Sequence, residues 1–208
     1  MNGFAIALAW PETKCKQSGA WYDTVLYYLG INTDGYYKVG HSAVVLVDSV
    51  SKKCFYYDFG RYHAPHTFGR VRSQATDFEL EIKTSAVILD GFLLNQEEIL
   101  QELLNNPATH GTGTIYGTST SIAFSKASTF TNNLQAKEII PYGPFVLSGT
   151  NCSRFVRSTL VAGQVSLVKK IVMYLAPTIT PKPMWLLTSL QGKTVKQGDW
   201  SIKPLLAT

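Results

Sequence analysis

Residues 36–48 and 53–59 are two strand-like runs rich in β-branched and aromatic side chains, joined by the short stretch Asp48-Ser49-Val50-Ser51-Lys52. A connection of that length closes a hairpin, whereas parallel neighbours need a crossover of about a dozen residues or more. The chain is therefore directed early into an antiparallel sheet. Residues 3–10 add a third run, apolar almost throughout, which reads as a buried strand ended by Pro11-Glu12-Thr13. If Asp48 pairs with Lys53 across the turn, Ala43 lies opposite Asp58, and the two-residue alternation of a strand places Asp58 on the same face as His41. A slip of one residue would send Asp58 to the other face.

The remaining pattern mixes both periodicities. Trp21 to Leu29 has helical spacing with Gly30 as a stop, and Asn32-Thr33-Asp34-Gly35 is a turn. A long polar segment, Gly60 to Ala75, reads as a loop, and Phe78 to Lys83 alternates like a strand, with another expected at 86–90. Asn95 to Leu104 reads as a helix with Asn95 as N-cap and Glu98 at the capping-box position, closed by Pro107. One or two strands are expected between Gly111 and Phe124, and helices over 126–138 and Val165 to Leu175. Pro177, Pro181 and Pro183 are expected to break any later helix before a Trp- and Lys-bearing terminus. With 208 residues, 45% hydrophobic, and 12% aromatic, one substantial core is within reach, so a single domain over 1–208 of α+β class is expected.

Charge and cysteine usage exclude several functions. The formal charge is +5 and the isoelectric point about 9.0, yet the cations are scattered, so a nucleic-acid partner is not expected. Cysteines at 15, 54 and 152 leave at least one unpaired and have no C-x-x-C spacing, which speaks against a disulfide framework and a zinc knuckle and for a reducing, cytoplasmic setting. The N-terminal apolar run lacks a basic flank and is too short for a signal peptide or membrane span. His63 and His66 stand at i, i+3 around Pro65, with no carboxylate pair to complete a metal site, so neither metal nor cofactor is expected.

Chemistry concentrates at Ser148-Gly149-Thr150-Asn151-Cys152-Ser153-Arg154-Phe155-Val156, where turn residues give way to helical spacing. A thiol at a helix N-terminus meets unpaired N–H groups and the positive end of the helix dipole, which favour thiolate. His41 is a candidate base for Cys152, and Asp58 a candidate to orient His41. The Cys152 backbone N–H could meet an oxyanion, with Asn151 either beside it or simply the helix N-cap. Arg61, Arg70 and Arg72 either clamp a substrate carboxylate or phosphate or form a solvated basic loop.

Gly40-His41-Ser42-Ala43-Val44, followed much later by Asn151-Cys152-Ser153-Arg154-Phe155-Val156, resembles the circularly permuted branch of the papain-like fold. That branch includes lecithin:retinol acyltransferase-like proteins and the PPPDE deSUMOylating peptidases, in which a strand His precedes an Asn-Cys-x-x-Phe helix start. Ordinary papain-like enzymes run Cys, then His. Ala9 to Thr13, Tyr56 to Tyr62 and Gly69 to Ser73 also resemble bacterial proteins of that superfamily. The resemblance implies an antiparallel sheet packed against a helix carrying the nucleophile, and a cysteine peptidase-like hydrolase acting on a peptide-like or acyl substrate. One departure stands out: retinol acyltransferase-like members place a second His soon after the first, and here His63 lies too far along, so Asp58 takes the orienting role.

The resulting expectation is that Cys152 attacks an amide, ester or thioester carbonyl, His41 moves the proton, and an acyl-enzyme forms. Two rivals remain open: a non-catalytic module gripping an anionic partner through the Arg61–Arg72 loop, and an acyltransferase on the same scaffold.

Overall fold

The computed structural model describes residues 1–16, 23–28, 30, 32–37, 39–178 and 180–198. The chain runs through β1 (Gly3–Trp10), β2 (Cys15–Lys16), α1 (Asp23–Tyr28), β3 (Asn32–Thr33), β4 (Tyr36–Tyr37), β5 (His41–Asp48), β6 (Cys54–Gly60) and β7 (Phe68–Arg72). After a 3₁₀ turn at Phe78–Leu80 come β8 (Ile88–Leu89), β9 (Phe92–Leu93) and α2 (Gln96–Leu104). A second 3₁₀ turn, Pro107–Thr109, leads to β10 (Ile115–Ile122), α3 (Phe124–Gln135) and β11 (Ile140–Pro141). The last elements are α4 (Cys152–Ala162), α5 (Leu167–Tyr174), α6 (Pro183–Ser189) and β12 (Thr194–Gln197).

Seven strands form one sheet in the order β11-β7-β6-β5-β1-β10-β12, and every neighbouring pair is antiparallel. The class is α+β. β1 is an interior strand, buried along its whole length because both faces are covered. Ala5, Ala7 and Ala9 face Phe155, Val156 and Leu160 of α4 and Leu186 and Leu187 of α6. Phe4, Ile6, Leu8 and Trp10 face Ile99, Leu100 and Leu103 of α2. The alanines leave room for helices to settle close, while the bulky residues fill the wider space under α2. Each large apolar side chain buried this way contributes about 1.5–3 kcal/mol.

The β5–β6 hairpin has the register counted from the sequence, with Ala43 opposite Asp58 and the Asp48 N–H donating to the Lys53 carbonyl at 3.1 Å. The single strand expected over 36–48 is divided, however. Gly40 has φ +75°, and a Cβ there would lie 2.9 Å from the Trp10 carbonyl oxygen, so only glycine makes this bend. The bend separates β4 from β5 and makes His41 the first residue of the sheet strand.

Three other expectations change. The loop expected from Gly60 to Ala75 contains β7, whose alternating arginines disguise a strand that sets Arg72 opposite Asp58. In place of the strand expected from Phe78 to Lys83, Phe78–Leu80 forms a 3₁₀ turn with Leu80 buried against the α2 side of the sheet, and Glu81 makes one isolated antiparallel bridge to Phe55. Pro183 does not end helical structure: it occupies the first turn of α6, where its missing N–H costs nothing. α1 lies inside the helix expected from Trp21 to Leu29, whose end residues fall outside the described residues, as does the terminus from 199 onward. Among the described residues no helix is long and apolar enough to cross a membrane.

Candidate active site

Cys152 opens α4, and its surroundings explain why the helix starts there. Asn151 has extended backbone and its side-chain oxygen accepts the Arg154 N–H at 3.0 Å, the geometry of an N-cap. Its amide nitrogen donates to Thr180 Oγ1 at 3.1 Å, so the cap and α6's approach segment engage both ends of the group. Arg154 in turn donates to the carbonyls of Gly143 (3.3 Å) and Val146 (2.9 Å), tying down the loop that precedes the helix. Ser153 and Ser42 share a buried hydroxyl hydrogen bond of 3.1 Å. That contact joins the first turn of α4 to the second residue of β5 and brings Cys152 beside His41.

His41 is buried, and its Nε2 faces two partners: Asp58 Oδ2 at 3.6 Å and the Tyr62 hydroxyl at 3.4 Å. The Trp10 indole stacks on the ring with centroids 5.8 Å apart, a consequence of Trp10 lying opposite His41 in the β1–β5 register. Asp58 has no exposed surface and is heavily coordinated. Arg72 donates to it through Nε (3.0 Å) and Nη2 (2.5 Å), and the Tyr56 hydroxyl donates at 3.1 Å. The Arg72 guanidinium carbon lies 3.5 Å over the Tyr62 ring, which itself stacks on His110 at 5.0 Å.

These contacts set opposite acidities for the two reactive groups. Burial alone disfavours the His41 imidazolium, but hydrogen bonding to Asp58 and Cys152 and the charges of both outweigh it, raising His41 to about 9. Burial alone raises the Cys152 thiol, but the hydrogen bond and charge of His41, the Ser42 backbone N–H and Ser153 bring it below the usual thiol range. Asp58 would rise on burial, and His41 and Arg72 hold it low instead. Both shifts run toward the charged forms, thiolate at Cys152 and imidazolium at His41. The other two thiols behave differently: burial pushes Cys15 and Cys54 each up to about 12.

Cys152, His41 and Asp58 are thus brought together, while the three arginines expected to grip a substrate are not. Arg72 is buried against Asp58, and Arg70 makes a two-pronged pair with Asp77 at 2.8 and 2.6 Å. Arg61 donates to the Lys16 carbonyl and lies 5.5 Å from the Tyr142 ring centre. Two of the three guanidinium groups therefore neutralise carboxylates of the chain itself. His63 has left-handed backbone, and among the described residues no cluster of His, Cys, Asp and Glu could hold a metal ion. Trp10 and Tyr62 fall inside runs that carry the family resemblance with no role attached to either, and no sequence signal marks His110. Trp10 becomes legible only once β1 is known to pair with β5, and Tyr62 only once Arg72 is known to lie in a strand.

The family model for type VI secretion system effectors of the TseH-like type matches residues 5–168. The chain belongs to the TseH-like effector family. The match spans β1 through the start of α5 and so includes both His41 and Cys152. The crystal structure of the type VI secretion system effector TseH is similar in fold, with a TM-score of 0.61 and 19% identity, covering 95% of this chain and 93% of that one. No curated protein sequence matches the chain.

Proposed function

We propose that this TseH-like chain is a cysteine hydrolase of circularly permuted papain-like build, cleaving an amide, ester or thioester through Cys152, His41 and Asp58. The observation that carries the reading is the His41 ring, with Nε2 3.6 Å from a fully buried Asp58 carboxylate while the same ring interacts with the Cys152 sulfur at the start of α4. Nδ1 is then the nitrogen left to serve the sulfur. The order of the pair, a histidine opening a strand and a cysteine opening a later helix, supports the permuted arrangement.

The acidities define the sequence of steps. The Cys152 thiolate adds to the substrate carbonyl carbon, and the resulting oxyanion lies near the first N–H groups of α4, which have no acceptor within the helix. The His41 imidazolium gives its proton to the leaving group, the carbon–leaving-group bond breaks, and an acyl-thioester remains. Neutral His41 then takes a proton from water as its oxygen attacks the thioester carbonyl. Collapse expels the thiolate and restores the ion pair. Asp58, fixed by Arg72 and Tyr56, keeps the ring oriented and stabilises its charge throughout.

The test is labelling by iodoacetamide near neutral pH. Cys152→Ala is expected to abolish fast labelling, while Cys15→Ala and Cys54→Ala leave it intact; equal contributions from all three thiols would overturn the assignment. Adding an amine or alcohol acceptor separates hydrolysis from acyl transfer, because only a transferase passes the acyl group to it in preference to water.

A further inference from the structure

The α4–α6 half of the molecule carries a surface that the proposed hydrolysis does not use. Between Ile139 and Gly198 the sequence has seven lysines and arginines and no aspartate or glutamate. The acids lie almost entirely upstream. Within this cationic half, α5 and the residue after it read Leu-Val-Lys-Lys-Ile-Val-Met-Tyr-Leu, a composition that would ordinarily place a helix in a core.

The core accepts little of it. Met173 is buried, the Lys169 ammonium donates to Thr120 Oγ1 at 2.7 Å, and the Trp185 indole N–H donates to the Val172 carbonyl at 3.1 Å. Those contacts anchor one side of the helix. Leu167, Val168, Ile171, Tyr174 and Leu175 remain 70, 58, 50, 54 and 67% exposed. Lys170 is exposed among them, and the Arg157 guanidinium lies 4.5 Å from the Tyr174 ring centre. An apolar ridge of this size on a helix, edged by cations and a tyrosine, is more than scattered surface hydrophobicity.

We propose that α5 seats the protein on an anionic phospholipid surface, lying in the plane of the interface with Leu167, Ile171 and Leu175 entering the headgroup boundary and the surrounding cations facing lipid phosphates. Charge favours lipid over a protein partner: the 60 residues that contain the ridge carry charge of one sign along the sequence, with Lys170 exposed on α5 itself, which matches a continuous anionic field, whereas specific protein interfaces match patches of both signs. This seating is peripheral and independent of the chemistry at Cys152.

The experiment is co-flotation of the full chain with vesicles of equal parts phosphatidylglycerol and phosphatidylcholine, against vesicles of phosphatidylcholine alone. About tenfold more protein is expected on the anionic vesicles, with the difference shrinking as salt rises from about 0.1 to 0.5 M. The double variant Ile171→Asp/Leu175→Asp is expected to lose that binding while keeping its melting temperature and Cys152 labelling. Lys170→Glu, which leaves the apolar ridge untouched, is expected to weaken it severalfold. Absence of flotation, equal flotation on both vesicles, or binding that survives both variants would overturn the proposal. So would self-association of the wild-type chain that the double variant removes without any lipid binding, since the ridge would then be a protein interface.

Discussion

Cys54 and Cys152 are both free thiols packed into the body of the protein, 5% and 7% exposed, and they have opposite chemistry. Cys54 opens β6 under α2, where burial dominates and the charge of Glu102 adds to it, so its thiol is pushed up to about 12. Burial works against the Cys152 thiolate as well, and the thiol nonetheless moves down. The difference is a chain of charge that runs from Arg72 to Asp58 to His41 and ends at the Cys152 sulfur. Exposure therefore says little about which thiol in this fold reacts. The nearest titratable partner, and what holds that partner, decides it.

The contrast can be broken most severely at its far end. Arg72→Met leaves Asp58 buried without its two-pronged donor, and an uncompensated buried carboxylate is expected to cost about 3–5 kcal/mol in a urea unfolding titration. Little destabilisation would mean that Tyr56 and His41 suffice to hold the charge. His41→Ala removes the partner itself: iodoacetamide labelling of Cys152 near neutral pH is expected to fall roughly 30-fold, towards the behaviour of Cys54. A rate unchanged by this variant would show that the α4 terminus alone activates the sulfur.

A smaller, graded effect appears with pH. Because the folded-state value of His41 is raised to about 9 from 6.5, the stability contributed by its proton is complete below about 6.5 and disappears as pH rises through about 9. Hydrolysis should decline through the same upper limb as the imidazolium is lost, while alkylation of the thiolate should not decline there; a parallel fall in both would contradict the division of roles. Least affected should be Arg70→Ala. Its pair with Asp77 is partly solvated at the rim of the sheet, so about 1 kcal/mol or less is expected in the same titration, with Cys152 labelling unchanged.

The parts of the site that were legible in the sequence are those set by local geometry. The five-residue turn fixed a register, and the register put Asp58 beside His41; the turn-to-helix transition at Asn151 exposed the capped start of α4. What stayed hidden depended on partners distant along the chain. β7 looks like a loop because its arginines read as solvated until Asp58 and Asp77 are seen to receive them. Trp10 looks like core until the β1–β5 pairing lays it against His41. Pro183 looks like a breaker because composition cannot distinguish the first turn of a helix from its interior.

The hydroxyl contact between Ser42 and Ser153 has a topological consequence. By alternation along β5, His41 belongs to the side of the sheet that α2 covers, while α4 lies on the opposite side with Ser42, so sulfur and imidazole approach from different storeys of the molecule. They can meet only at the margin, where the sheet stops and no further strand residue intervenes. Had β5 begun one residue earlier, the floor between the storeys would have been sealed at that point, and the Gly40 bend is what keeps the stairwell open.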